Sequence, residues 1–282
     1  MAVRVRETLK GAILVAVCLF STPAILGNDE RQSLFSQAAQ SVLDREFPST
    51  SISFLLIDAH SGAVIADRWQ NSDTPIPVGS LIKPFTALSY AQGHRSFPFV
   101  LCNGRRDKCW LNRGHGRIGL REAISQSCNA YFISLAREIS MDDANSVFRG
   151  YNLPPVGASD KVSALAGLSN QWQVAPVVLA RAYAGLSKEL RRAEPGIYAG
   201  MRGSASFGTA RAVALAVPGH SVLAKTGTAS CTHSPPGSAD GFAMLLYPED
   251  GPRVVLFVRV HNVTGAASAA IAAQMLRRLE DF

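Results

Sequence analysis

Three short motifs hold the residue types that a serine acyl-enzyme needs: Ser80-Leu81-Ile82-Lys83, Ser127-Cys128-Asn129 and Lys225-Thr226-Gly227-Thr228. A serine hydroxyl is a weak nucleophile until a neighbouring base takes its proton. Residues three apart share a helical face, so Lys83 sits one turn beyond Ser80. A lysine serves as that base once burial or a second cation lowers its pKa, and Lys225 is the candidate cation. Ser127 can relay a proton towards a leaving amine, and the Asn129 amide can bind both lysine and a substrate carbonyl. Lys225, Thr226 and Thr228 offer cationic and hydroxyl partners for a carboxylate, while Gly227 lets a substrate backbone approach closely. The backbone N–H groups of Ser80 and Thr228 are the expected oxyanion hole. Catalytic roles therefore fall to Ser80, Lys83, Ser127 and Lys225, and substrate binding to Asn129, Thr226, Gly227 and Thr228. Each motif alone has a bland reading, two helix caps and a solvated strand lysine; all three in order is the stronger signal.

The elements that must position these residues follow from periodicity. Pro75, Pro77 and Gly79 precede the apolar run 81–90, which marks a helix start at Ser80, with Pro84 tolerated in the first turn. Residues 30–47 carry apolar positions at helical spacing, and 265–282 read as an Ala-rich helix. Residues 51–58 and 63–69 are β-rich runs around a turn at 59–62, and 221–230, 241–247 and 253–261 are three further strands. Strands at both ends of the chain with a helical middle predict an α+β fold. One antiparallel sheet is flanked by N- and C-terminal helices, with an inserted all-helical lobe. The sheet lobe is expected over about 28–79 and 206–282, the helical lobe over about 80–205, and the site at their junction.

The same residues resemble the penicillin-binding-protein transpeptidase domain. Pro77-Val78-Gly79-Ser80 with Lys83-Pro84-Phe85-Thr86-Ala87-Leu88 is similar to the family's nucleophile segment. Gly114-His115-Gly116, Leu120, Ala123, Ile124, Ser127-Cys128-Asn129, Tyr131 and Phe132 resemble the elongation-type class B enzymes. Gly208-Thr209-Ala210 and Ala224-Lys225-Thr226-Gly227-Thr228-Ala229 are similar to the closing motifs, although Ala224 stands where many members have glycine. The resemblance runs from about Ser51 to the C-terminus. It implies a serine DD-peptidase, transpeptidase or carboxypeptidase, acting on peptidoglycan stem peptides ending in D-Ala-D-Ala, without a cofactor and inhibited covalently by β-lactams. In that reading Ser80 is the nucleophile, Lys83 the base, Ser127 the proton shuttle and Asn129 a substrate binder, while Lys225, Thr226 and Thr228 hold the terminal carboxylate. A class D-like β-lactamase is the alternative, though Gly150-Tyr151-Asn152 has the wrong order for that class. A sensor or binding domain that acylates without turnover is the other. The glutamates Glu138, Glu189 and Glu194 lack the setting of a class A deacylating carboxylate.

With 282 residues and 47% apolar composition, a sizeable core is expected. Residues 1–24 combine a basic start (Arg4, Arg6, Lys10), an apolar run and a small-residue site at Thr22-Pro23-Ala24, the pattern of a secretory signal peptide; the catalytic domain would then occupy 28–282. An uncleaved segment, associating the protein with a membrane, is the alternative, but the run is short for a span. Export implies a secreted or periplasmic location. The formal charge is +7, and +5 without residues 1–27 (Arg4, Arg6, Lys10 and Glu7 removed), a modestly basic domain that suits an anionic wall or membrane surface. Its cations are scattered, which with export argues against nucleic acid. Four cysteines follow the leader, and in an oxidising compartment Cys102 and Cys109, bracketing a polar loop, are the favoured disulfide pair. Cys128 and Cys231 flank two of the motifs. No cysteine pair has a zinc-site spacing, so no metal is expected.

Overall fold

A computed structural model describes residues 28–233 and 239–280. The expected signal peptide at 1–24 and most of the loop 232–239 lie outside the described residues. No described helix is long and apolar enough to cross a membrane.

In chain order the chain forms helix α1 (Asn28–Glu46), strands β1 (Ile52–Asp58) and β2 (Val64–Arg68), a 3-10 turn over Gly79–Ile82, and helix α2 (Lys83–Gly93). Strands β3 (Val100–Cys102) and β4 (Gly116–Ile118) come next, and then helices α3 (Leu120–Ser125), α4 (Asn129–Glu138), α5 (Met141–Gly150) and α6 (Lys161–Leu165). Helices α7 (Pro176–Ala193), α8 (Pro195–Ser206) and α9 (Ala212–Ala216) lead to strands β5 (Leu223–Ala229), β6 (Asp240–Tyr247) and β7 (Val254–His261), and α10 (Gly265–Glu280) closes the chain. The main sheet has the order β2-β1-β7-β6-β5 and every pairing is antiparallel. The first strands thus pair with the last, as expected for a sheet built from chain-distant segments. One detail differs: the lobe expected to be all-helical also carries the β3–β4 ribbon, in which Leu101 faces Arg117. Its strands are three residues long, too short to show a period of two.

The sheet is covered on both faces, and alternate residues divide two cores. Leu55, Ile57, Phe242, Met244, Val255 and Phe257 join the core shared with the lobe. Phe54, Leu56, Ala243, Leu245, Leu256 and Val258 join a second core with Ala39 and Leu43 of α1 and Ala269, Ala272 and Leu276 of α10. Two-sided burial explains why these strands read as continuous apolar runs rather than as alternating ones. Ala224 belongs to the second core and is fully buried, so its methyl is packed where glycine was the family expectation.

Candidate active site

The 3-10 turn that carries Ser80 is held by close backbone contacts. Gly79 has φ +57, and a Cβ there would lie 2.3 Å from the Thr228 carbonyl oxygen, so only glycine allows the turn to rest on β5. The Lys83 N–H donates to the Ser80 carbonyl, which fixes the two residues one tight turn apart, and Lys83 then opens α2 with Pro84 in its first turn. The Tyr183 hydroxyl donates to the Leu81 carbonyl at 2.5 Å and ties α7 to the same turn. Ser80 itself is half-buried and lines a cleft of about 440 Å³.

Ser127 lies between α3 and α4 and is a non-glycine residue at φ +53. That left-handed conformation costs on the order of 1 kcal/mol. It aims the Ser127 carbonyl and hydroxyl at the lysines. Lys83 Nζ donates to Ser127 O at 2.8 Å and to Asn129 Oδ1 at 2.7 Å, with Ser127 Oγ 3.4 Å away. Lys225 Nζ donates to Ser127 Oγ at 2.9 Å and to Thr226 O at 2.7 Å. One hydroxyl therefore sits between two fully buried lysines. Burial strips the Lys83 ammonium of water and lowers its pKa to about 7; charge on Cys128 and Cys109 opposes that shift. Lys225 is pushed well below the usual lysine range by burial first and by Lys83 second. Asn129 is anchored from its other end, its Nδ2 donating to Lys108 O at 3.0 Å.

The structure thus gathers Ser80, Ser127, Asn129, Thr226, Gly227 and Thr228 around one cleft, with Lys83 and Lys225 buried beneath it. Thr228 is exposed to the cleft, and its Oγ1 accepts from the Gly265 N–H at 2.9 Å. A Cβ at Gly227 would meet Val78 O at 2.6 Å, so its missing side chain lets the turn that carries Ser80 pack against β5. Thr209 and Trp110 were not among the expected site residues. Thr226 Oγ1 donates to Thr209 Oγ1 at 2.6 Å, and Thr209 lies in the Gly208-Thr209-Ala210 segment that the sequence did single out. Trp110 lines the cleft, its Nε1 donating to Gln126 O at 2.9 Å; nothing in its sequence setting distinguishes it from a packing tryptophan.

The cysteines need a correction. Cys102 and Cys109 are not joined; each sulfur lies 3.5 Å from His115 Nδ1, and Cys109 Sγ is 3.9 Å from Cys128 Sγ. All four donor atoms lie within 4.8 Å of one another. The S–H···S contact between Cys109 and Cys128 holds one thiol, Cys109, below the usual thiol range and pushes the other, Cys128, above it. Three thiols and an imidazole are the donor set of a closed structural zinc site. The sequence spacing hid it because β3 and the loop that follows it fold three donors back onto Cys128. Any ion held there would stiffen the segment that presents Ser127 and Asn129.

The sequence profile described as the penicillin binding protein transpeptidase domain matches residues 52–280. No curated protein sequence matches the chain significantly. Among solved structures, Pseudomonas aeruginosa PBP2 in complex with WCK 5153 is similar with a TM-score of 0.68 and 17% identity, over 90% of this chain and 74% of that one. The transpeptidase domain of Burkholderia pseudomallei penicillin-binding protein 3 gives 0.67 and 18%, over 90% and 95%. Helicobacter pylori PBP2, in its complex with MreC, gives 0.71 and 15%, over 87% of this chain; the chain spans only 63% of that protein's length. At these identities the likeness to solved structures is one of fold.

Proposed function

Since the chain belongs to the penicillin-binding protein transpeptidase family, we propose that its cleft carries out serine acyl transfer on peptidoglycan stem peptides, with Ser80 as the nucleophile. Neutral Lys83 takes the Ser80 proton as Oγ attacks the penultimate D-Ala carbonyl. The N–H groups of Ser80 and Thr228 hold the resulting oxyanion. Ser127 passes a proton, resupplied through Lys83, to the nitrogen of the departing terminal D-Ala, and the C–N bond breaks as the Ser80 ester forms. An acceptor amine then attacks the ester to give a cross-link, or water attacks to give carboxypeptidase action. Thr226 and Thr228 hold the terminal carboxylate, with Lys225 supplying charge from below, and Asn129 orients the peptide.

The observation that carries this reading is the Ser127 hydroxyl between two buried lysines, one with its pKa near neutrality. Among the described residues that line the cleft none is Asp or Glu. Without an Asp or Glu to activate water in the class A manner, the ester should outlive its formation and wait for an amine, which favours the transpeptidase over a class A-type β-lactamase. In this reading residues 1–24 direct export, and the chemistry takes place outside the cytoplasm, where its substrate lies.

Intact-mass spectrometry of the protein mixed with penicillin tests the proposal. The expected result is a long-lived adduct on Ser80 that is absent from Ser80→Ala. An adduct that disappears as drug is consumed would identify a β-lactamase, and wild-type labelling of Ser80→Ala would remove Ser80 from the role.

A further inference from the structure

A second group of metal-ligand side chains lies at the end of the main sheet, apart from the Cys102 cluster. Cys231 and His233 follow the end of β5, Asp240 opens β6, and His261 ends β7. In the sheet Asp240 pairs with both Ala229 and His261, so three adjacent strand ends deliver four donors to one place. His233 Nε2 lies 2.8 Å from Asp240 Oδ2, and His261 Nδ1 lies 3.1 Å from Asp240 Oδ1 and 3.6 Å from Cys231 Sγ. The four ligand atoms are all within 4.8 Å of one another.

From this geometry we infer that Cys231, His233, Asp240 and His261 form a binding site for a thiophilic divalent cation, of the zinc class. Two ion pairs hold Asp240 against the imidazoles, and the Cys231 thiol donates to the His233 carbonyl at 3.4 Å, so the sulfur is held beside the carboxylate–imidazole group. A cation at the centre satisfies all four groups together, with thiolate and carboxylate offsetting its charge. Zinc bonds of about 2.0–2.3 Å in a tetrahedron set the donor atoms roughly 3.3–3.7 Å apart. Of the observed separations, 3.6 Å falls in that range and 2.8 and 3.1 Å lie just below it, and Asp240 is 2% exposed, as a ligand carboxylate should be rather than a solvated one. The ion would clamp the β5–β6 connection at both its ends, three residues beyond Thr228.

Zinc per chain, measured by plasma mass spectrometry after dialysis against zinc and then buffer, tests the site. Cys231→Ser and His233→Ala should each hold one equivalent fewer than wild type. Both leave Cys102, Cys109, His115 and Cys128 intact, so metal held there stays in the count. Because Cys231→Ser reaches half-buried space, cooperative melting checks that each variant is folded, and His233→Ala provides an independent second reading. Cobalt(II) added to the metal-free protein adds a signature: wild type should show a sulfur-to-cobalt band that Cys231→Ser weakens. Equal zinc content in wild type and both folded variants, or no zinc in wild type, would overturn the inference.

Discussion

Ala224 and Lys225 are neighbours on one strand and are equally buried, yet they enter different worlds. Ala224 faces the core under α1 and α10, where side chains are apolar and packed for stability. Lys225 faces the lobe, where Lys83, Ser127 and Asn129 are buried as well. A charge kept from water destabilises the fold unless partners offset it. The lobe side is therefore a place where stability is given up for reactivity, and the other side of the same sheet supplies the surplus. Burial alone does not reveal which is which. The chemistry of the buried group does.

Substitutions on the two sides should separate these roles. The largest effect is expected from Lys83→Met, which should slow penicillin acylation by about 10²–10⁴-fold, the usual worth of a general base. The melting temperature should hold or rise, since a desolvated amine is replaced by an apolar chain of similar length. In the wild type the acylation rate should climb through about pH 7 as Lys83 loses its proton. Stability should rise too between about pH 7 and the ordinary lysine value of 10.5, where the unfolded chain still binds a proton that the folded one has shed. A pH-rate profile and melts across that window, flattened in Lys83→Met, are the checks. A steep loss of stability in that variant would erase the contrast.

Leu256→Ala, on the other side, should do the reverse. It removes a fully buried side chain and should cost about 2–5 kcal/mol by denaturant titration, leaving the acylation rate of the folded protein unchanged. The smallest effect should come from Thr209→Val. Loss of its hydrogen bond with Thr226, worth about 1 kcal/mol, should lower kcat/KM for a stem peptide by roughly a few-fold and shift the denaturation midpoint only slightly.

The same contrast explains what the sequence made legible. β1, β5, β6 and β7 are buried on both faces, so their apolar runs announced them, and Lys225 stood out as a cation inside such a run. Ser80 and Lys83 were visible because both lie in one continuous segment, joined by a single backbone hydrogen bond. Contacts between distant segments left no such trace. Cys102, Cys109, His115 and Cys128 come from separate turns whose spacings match no compact metal motif, and the favoured disulfide was drawn from chain proximity alone. The packing of Gly227 against Val78 likewise joins distant segments and is not legible in the sequence.

That last contact sets a limit on how the protein can evolve. Where Gly79 meets Thr228 and Gly227 meets Val78, backbone lies against backbone, and every substitution at either glycine is an enlargement. Selection has no smaller residue to try there. The spacing between nucleophile and strand is thus fixed by covalent geometry, and escape from a covalent inhibitor must be sought in the walls that do carry side chains, at Trp110, Leu168 and Thr264.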